Sequence, residues 1–202
     1  MQQMKTAKEW ADYLASGLAR ELRHFPDRFF DSFEYTTTGQ NLSHPIAWGT
    51  LAKLLWQAPG VHGVGIDVRI NLGSGIKLQP DLVAYNAGYE ELALIDYESP
   101  NSSDARVPWK DVDPYCKWST QTKQSAPYVI ITTLPDCASD WELRCAYGNG
   151  YNRDFHGRHS EICKNPFQFW YRYYREELKS RCLDSVALVN IDRKNVNRVI
   201  PA

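Results

Sequence analysis

Three acidic residues, Asp81, Asp96 and Glu98, have side chains and spacing suited to divalent-metal chemistry. Asp81 is predicted within one strand, after Pro80, and Asp96 and Glu98 near the end of the next. Because side chains alternate across a strand, Asp96 and Glu98 share one face and Tyr97 points to the other. If the two strands pair as a hairpin, Asp81 approaches the same end, so three carboxylates converge.

Convergence of carboxylates is costly, since like charges raise one another's pKa and burial disfavours every ionised form. A bound divalent cation relieves both problems. Carboxylate oxygens suit Mg²⁺ or Mn²⁺, and Mg²⁺ usually takes one or two carboxylates together with waters and substrate phosphate oxygens. Such an ion activates a water, neutralises a scissile phosphate and stabilises the leaving oxygen. The three residues therefore predict, in outline, a site that cleaves phosphodiester bonds.

The elements that would position these acids follow from hydrophobic spacing. Helical periodicity predicts a first helix from Lys8 to about Arg23, and Ser43 is the predicted cap of a second helix with Pro45 in its first turn. Three strands joined as a meander are predicted for GVGIDVRINLG, IKLQPDLVAYN and EELALIDYES, because runs rich in apolar and β-branched residues alternate with glycine-containing turns.

The second half of the chain continues this alternation. Asp113-Pro114 predicts the start of a helix, YVIITTLP a buried strand, WELRCAY a further strand, Asn165-Pro166 another helix start and SVALVNIDR the last strand. No long linker or repeat divides the 202 residues, a length that suits one domain. The sequence thus predicts one α/β domain over residues 1–202, with a central mixed β-sheet flanked by α-helices.

The Pro-Asp of QPDLVAY followed by the Asp-x-Glu of IDYES resembles the PD-(D/E)XK pattern of the restriction endonuclease-like nucleases. Asp81 and Asp96 match its two acidic positions, whereas Glu98 stands where the pattern has lysine. The resemblance implies a restriction endonuclease-like core and an Mg²⁺-dependent endonuclease that acts on DNA. For Glu98 two interpretations stay open, a third metal ligand and an ion-pair partner for an arginine.

A closer resemblance, from about Leu42 to Pro135, is to the Uma2 family of bacterial endonucleases. It rests on PDLVAY, on LIDYESPNSSD and on the later Lys110 and Tyr115, with Ser99-Pro100, Asp104 and Lys110 matching family positions; NLSHPIAWGTLAKLLW resembles the family's His-containing helix. The resemblance implies that Lys110 is a displaced catalytic lysine, which would orient the water or stabilise transition-state charge. A surface role for Lys110 is the alternative.

Nucleic-acid contact would need a local patch, because the formal net charge of −1 gives no overall attraction to phosphate. The segment GNGYNRDFHGRH places Arg153 and Arg158 among aromatic residues and glycines, a mixture that could grip phosphates and stack on bases. An exposed loop without a ligand has the same composition, so both interpretations stay open.

Five widely spaced cysteines favour reduced thiols in the cytoplasm over a disulfide framework, and a packed thiol is favoured over a nucleophile for Cys116. His156, His159 and Cys163 have spacings that zinc can use, but no Cys-x-x-Cys accompanies them, so unliganded residues are favoured. Neither a leader sequence nor a long apolar run is present, which predicts no membrane association.

Two rival functions are compatible with these residues. One is a catalytically inactive module that keeps the nuclease fold and binds nucleic acid or a protein. The other is an enzyme that uses the same acids on a different phosphate ester. A homodimer would suit the cutting of both strands of a duplex. In the helix predicted to start at Asn165-Pro166, the aromatic residues that do not face the core could cover such an interface or be partly exposed.

Overall fold

A computed structural model describes residues 3–26, 39–71, 77–97, 107–124, 126–132, 185–192 and 195–199. Within these ranges the chain is an α/β structure with three helices and a central mixed sheet. The helices are α1 (Ala7–Leu22), α2 (Gly39–Trp56) and α3 (Val107–Thr122), and the strands are β1 (Gly63–Ile66), β2 (Ile70–Asn71), β3 (Lys77–Leu78), β4 (Leu82–Tyr85), β5 (Glu91–Tyr97), β6 (Tyr128–Thr132), β7 (Val186–Asp192) and β8 (Asn195–Val199). None of the described helices has the length and apolar character needed to cross a membrane.

The main sheet has the strand order β1-β4-β5-β6-β7-β8. The strands β1, β4 and β5 form an antiparallel meander, β5, β6 and β7 run parallel, and β8 returns antiparallel to β7. The strands β2 and β3 form a separate two-stranded ribbon. The predicted meander and the predicted pairing of the second and third strands are therefore confirmed.

Helix α1 shows how the sequence sets one edge of the core. The Thr6 hydroxyl accepts a hydrogen bond from the Glu9 amide, and the Glu9 carboxylate accepts from the Thr6 amide, which is a capping box. The backbone amides of Lys5 and Thr6 both donate to the Glu9 carboxylate, and they hold the pKa of Glu9 below its usual value. The buried stripe of α1, which includes Trp10 and Leu14, packs on β6, β7 and β8.

The two faces of the sheet carry different partners. One face, which includes Ile95 and Tyr97 of β5, belongs to a hydrophobic core shared with α1 and α2. The other face presents Asp96 of β5 and Tyr128 of β6, and Tyr128 stacks on Tyr115 of α3. Both faces of the central strands are buried, so the four residues from Tyr128 to Ile131 of β6 are all buried and do not alternate between buried and exposed.

Two predicted helix starts are wrong. Helix α2 begins at Gly39, so Ser43 is not its cap and Pro45 lies inside it; no helix-breaking pair stands ahead of Ser43 to stop the extension. Helix α3 begins at Val107, with Pro108 in its first turn and Pro114 in its interior. A proline is well tolerated in the first turn, where its missing N–H would have no helical partner. Two proline signals therefore compete, and the earlier one marks the start.

Three strands form the meander, as predicted, but two of the three predicted runs are each interrupted and form two shorter strands. The run 63–73 is split after Ile66, because Asp67 adopts a left-handed φ of 52°. The run 76–86 is split at Gln79 and Pro80, since proline has no N–H to donate to the sheet. The prediction that β7 is the last strand is wrong, because β8 follows it. The sequence of β8, NVNRV, is mostly polar, so it carries little of the apolar signal that predicts a strand.

Candidate metal centre

The side chains of Asp81 and Asp96 each accept a hydrogen bond from the backbone of the other's strand at one end of the β4–β5 hairpin. The Asp81 amide donates to Oδ1 of Asp96 at 2.9 Å, and the amide of Tyr97 donates to Oδ2 of Asp81 at 2.7 Å. Each bond joins a side chain of one strand to the backbone of the other. The carboxylates therefore extend the hydrogen bonding of the hairpin beyond its last backbone pair, and they hold the two acids side by side.

The strand register explains why these two residues meet. Leu82 of β4 lies opposite Ile95 of β5, so the next position brings Asp81 opposite Asp96. Asp81 lies in a bend immediately before β4, which corrects the prediction that it sits within the strand. On its other side the carbonyl oxygen of Asp81 accepts a hydrogen bond of 2.8 Å from the amide of Asp67. The bend is thus anchored from both neighbouring strands.

The Asp96 side chain is buried, with the residue only 7% exposed. Its Oδ2 accepts a hydrogen bond from the hydroxyl of Tyr128, a fully buried residue of β6. Tyr128 lies opposite Leu94 rather than Asp96, so its side chain reaches diagonally across the sheet, a span within the range of an aromatic residue. Asp96 is therefore bonded through each of its oxygens to a different structural element.

An aromatic stack supports Tyr128 from the helix side. The rings of Tyr115 and Tyr128 are stacked with centroids 4.8 Å apart, and the ring of Trp118 lies 5.7 Å from that of Tyr115. The Tyr115 hydroxyl donates to the carbonyl oxygen of Ala126 at 2.8 Å. Burial raises the pKa of Tyr115 to about 12, although a hydrogen bond with the Ser185 side chain opposes the rise.

The two aspartates fit a magnesium-type ion by number and chemistry. Mg²⁺ commonly uses one or two carboxylates and completes its shell with waters and phosphate oxygens. A carboxylate has about four lone-pair sites, so the observed hydrogen bonds are compatible with metal ligation through the same oxygens. Among the described residues no group of three His, Cys, Asp or Glu side chains is close enough to hold a metal. Asp67, which directly follows β1 and donates its amide to the Asp81 carbonyl oxygen, is exposed, and its side chain accepts a hydrogen bond from the Gln79 side-chain amide.

The other residues predicted for the site are placed in part or not at all. Glu98 follows directly after β5 and lies outside the described residues, as do Arg153 and Arg158. The backbone of Lys110 lies in the first turn of α3, whereas its side chain is outside the described part of the structure. Also outside are Ser99, Pro100, Asp104, the His156, His159 and Cys163 set, and the predicted elements WELRCAY and FQFWYRYYREELK.

Sequence reasoning missed two polar side chains on the sheet face that carries Asp96. The sequence predicted Tyr128 only as part of a buried strand, although a buried tyrosine hydroxyl usually needs a hydrogen-bond partner. Asn190 of β7 is 1% exposed and lies near the same, carboxyl-terminal end of the parallel strands. A single amide in the apolar run SVALVNIDR was the available signal, because buried polar residues are retained where they are hydrogen-bonded.

One cavity of about 520 Å³ lies far from the aspartate pair along the sheet. It is bordered by the start of β5 at Glu91 and Leu92 and by Ala126 and Pro127, which precede β6. Asp81 and Asp96 lie at the opposite, carboxyl-terminal end of β5. The cavity therefore contains none of the residues that the sequence singles out for metal chemistry.

The prediction of reduced thiols is wrong for Cys116, which is disulfide-bonded. Cys116 is a half-buried residue of α3, and the other four cysteines lie outside the described residues. Wide spacing misled the prediction, because a disulfide needs proximity in the fold rather than in the sequence. A bonded sulfur is not a thiolate, so nucleophilic chemistry at Cys116 is excluded in this state.

Comparison of the chain with models of protein families, with curated proteins and with solved structures finds no match.

Proposed function

We propose that the protein is a metal-dependent endonuclease that hydrolyses phosphodiester bonds of DNA, with a restriction endonuclease-like core. The observation that carries the proposal is the hydrogen-bonded pair Asp81 and Asp96 at the end of the β4–β5 hairpin. The pair belongs to a mixed sheet with helices on both faces, the arrangement that the family resemblance implies. Asp81 directly precedes β4 and Asp96 lies near the end of β5, and these are the two residues that match the acidic positions of the nuclease pattern.

Each residue has a separate role in this proposal. Asp81 and Asp96 hold Mg²⁺ or Mn²⁺, and Glu98 assists them as a further oxygen ligand. When bound, the ion supplies Lewis-acid activation of water and neutralisation of phosphate charge. The buried position of Asp96 keeps bulk water from competing with its interactions, which strengthens electrostatic attraction at the site. Lys110 donates to the attacking water or to the phosphate, and Arg153 and Arg158 contact the DNA backbone.

The rival function, a catalytically inactive module that binds nucleic acid or protein, is favoured by one feature. Glu98 occupies the position at which the nuclease pattern has lysine. An ionised carboxylate cannot donate a hydrogen bond to a phosphate, whereas a lysine ammonium can. Cleavage of DNA therefore depends on whether Lys110 takes the role of the missing lysine. In the inactive module Asp81 and Asp96 serve to close the hairpin, and they need no cation.

Two measurements separate these functions. Calorimetric titration with Mn²⁺ should show binding to the wild type and none to Asp81→Ala or Asp96→Ala. Incubation of supercoiled, linear and single-stranded DNA with Mg²⁺ or Mn²⁺ should give cleavage that a chelator and Asp96→Ala both abolish. A wild type that binds no Mn²⁺, or that binds it without cutting any of the three substrates, contradicts the endonuclease and supports the inactive module.

The proposed action on duplex DNA suggests a two-fold dimer, because one active site cuts one strand at a time. Light scattering over a range of protein concentrations, with and without duplex DNA, tests the dimer. A mass of one chain under all of these conditions contradicts the dimer, and it leaves the metal centre itself unaffected.

A further inference from the structure

The hydroxyl of Tyr128 is the donor that approaches Oδ2 of Asp96 from within the core. Tyr128 is fully buried, and Asp96 is one of two buried polar side chains among the described core residues. A hydrogen bond to an ionised carboxylate is about twice as strong as one between neutral groups. Such a bond fixes the rotation of the carboxylate plane.

The two oxygens of Asp96 are held from different directions. The backbone amide of Asp81 bonds to Oδ1 and the phenol of Tyr128 to Oδ2. Tyr128 is in turn held by its stack on Tyr115 of α3. A rotation of the carboxylate would therefore break a bond on either side, and it would require movement of a ring packed between the sheet and the helix.

We propose that Tyr128 is a positioning residue of the metal centre, which orients Asp96 for a divalent cation without itself touching the ion. The inference rests on the proposed function, since it requires that Asp96 bind a cation. Groups that hydrogen-bond to metal ligands orient those ligands, and their loss typically weakens metal affinity 10- to 100-fold. A purely structural tyrosine, which only buries its hydroxyl against an available acceptor, would have no such effect.

The chain offers a matched control for this role. Tyr115 is equally buried and belongs to the same stack, but its hydroxyl bonds to the carbonyl oxygen of Ala126 and to the Ser185 side chain, not to Asp96. Tyr128→Phe and Tyr115→Phe each remove one buried hydroxyl and keep the ring. The two variants therefore lose comparable structure, and only Tyr128→Phe alters the surroundings of Asp96.

The test is calorimetric titration of folded wild type, Tyr128→Phe, Tyr115→Phe and Asp96→Ala with Mn²⁺ alone. We expect Tyr128→Phe to bind Mn²⁺ about 10- to 100-fold more weakly than the wild type, Tyr115→Phe to bind like the wild type and Asp96→Ala to show no binding. Equal affinities for the two phenylalanine variants overturn the positioning role while leaving the metal centre intact. Absence of binding to the wild type overturns both the metal centre and the positioning role.

A spectroscopic measurement keeps the inference testable if Tyr128→Phe fails to fold. Saturating Mg²⁺ should perturb the near-ultraviolet tyrosine absorption of the wild type, because a cation on Asp96 would polarise the carboxylate that accepts the Tyr128 hydrogen bond. The perturbation should persist in Tyr115→Phe. A tyrosine spectrum that saturating Mg²⁺ leaves unchanged, in a protein that calorimetry shows to bind the ion, overturns the positioning role.

Discussion

The backbone amide of Asp81 donates a hydrogen bond of 2.9 Å to Oδ1 of Asp96, so the two acids are bonded to each other's strands rather than merely close. Two carboxylates at opposite positions of neighbouring strands repel one another, and Asp96 is buried as well. The N–H and O–H donors that surround them offset part of this repulsion. The pair is consequently a place where the fold tolerates an electrostatic cost, which is a common property of functional sites.

The bond between Tyr128 and Asp96 can be measured by a double-mutant cycle. Asp96→Ala removes the acceptor of a buried hydroxyl, and an unsatisfied buried group costs about 1–3 kcal/mol. Tyr128→Phe removes that hydroxyl, so the double variant should lose less stability than the sum of the single variants by about 0.5–3 kcal/mol. Urea unfolding in the presence of a chelator measures the four free energies. Additive effects would contradict a direct bond.

Lys110 can be tested against a lysine of the same helix. We expect Lys110→Ala to lower the DNA cleavage rate on the order of 100-fold, as loss of one transition-state donor does elsewhere, and to leave Mn²⁺ affinity unchanged. Lys117 is an exposed residue of α3, so Lys117→Ala should retain the wild-type rate. Equal rates for the two variants would remove Lys110 from the catalytic site.

Glu98→Lys tests the departure from the nuclease pattern, because it restores lysine at its usual position. Retained or increased cleavage would mean that Glu98 merely occupies the place of the lysine. Complete loss of cleavage, accompanied by weaker Mn²⁺ binding, would make Glu98 a required ligand. Single-turnover cleavage assays and calorimetry on the same preparation give both quantities.

The meander and the Asp81–Asp96 pair were predictable because they depend on local alternation and on one hairpin register. Once Leu82 lies opposite Ile95, Asp81 meets Asp96 without further information. Tyr128 was not predictable as a neighbour of Asp96, since β6 reaches β5 only after a helical crossover and the register of parallel strands is set by packing. The prediction of a reduced thiol at Cys116 was wrong for a similar reason, because spacing along the chain does not report distance in space.

The predicted starts of two helices were wrong for a different physical reason. A proline is read from sequence as a helix start, yet Pro45 and Pro114 both lie inside helices. An interior proline loses one backbone hydrogen bond and crowds the preceding turn. Burial of apolar residues such as Leu54 and Tyr115 can outweigh that cost, and burial is a tertiary effect that local signals do not contain.

Two helical glycines should respond oppositely to alanine. A Cβ at Gly17 would lie 2.7 Å from a methyl group of the buried Leu54, and the overpacking of α1 against α2 should outweigh the gain in helix propensity, so Gly17→Ala should destabilise by up to about 2 kcal/mol. A Cβ at Gly49 meets nothing within 4 Å. Gly49→Ala should therefore stabilise by up to about 1 kcal/mol, the difference in helix propensity. Urea unfolding of both variants checks the sign, and a stabilising Gly17→Ala would contradict the close helix packing.

Because Cys116 is disulfide-bonded, we expect an alkylating reagent to leave it unmodified in the native protein without reductant and to label it after reduction. Loss of the bond in Cys116→Ser should cost about 2–4 kcal/mol of stability. Serine variants of the other four cysteines identify the partner, since only one of them should expose Cys116 to the reagent. The thiol state in intact cells also tests the cytoplasmic location predicted from the sequence, because that compartment keeps most thiols reduced. Labelling of Cys116 without reductant would contradict the bond.

Tyr115 should make the protein sensitive to alkaline pH. Burial raises its pKa from the ordinary value of 10.0 to about 12, so between these values the unfolded chain has lost the phenolic proton while the folded protein retains it. The unfolded state then binds fewer protons, and the free energy of unfolding must fall as the pH rises. The contribution of Tyr115 is fully present below pH 10 and is lost as the pH approaches 12.

Tyr115→Phe removes this titration, so its stability should fall less steeply over the same alkaline range than that of the wild type. Tyr89, which is 85% exposed, provides the control, because Tyr89→Phe removes a solvent-facing hydroxyl and should follow the wild-type curve. Urea unfolding at a series of alkaline pH values gives the slopes of the three proteins. Identical slopes for Tyr115→Phe and the wild type would mean that the Tyr115 phenol reaches water more readily than its packing against Tyr128 and Trp118 implies.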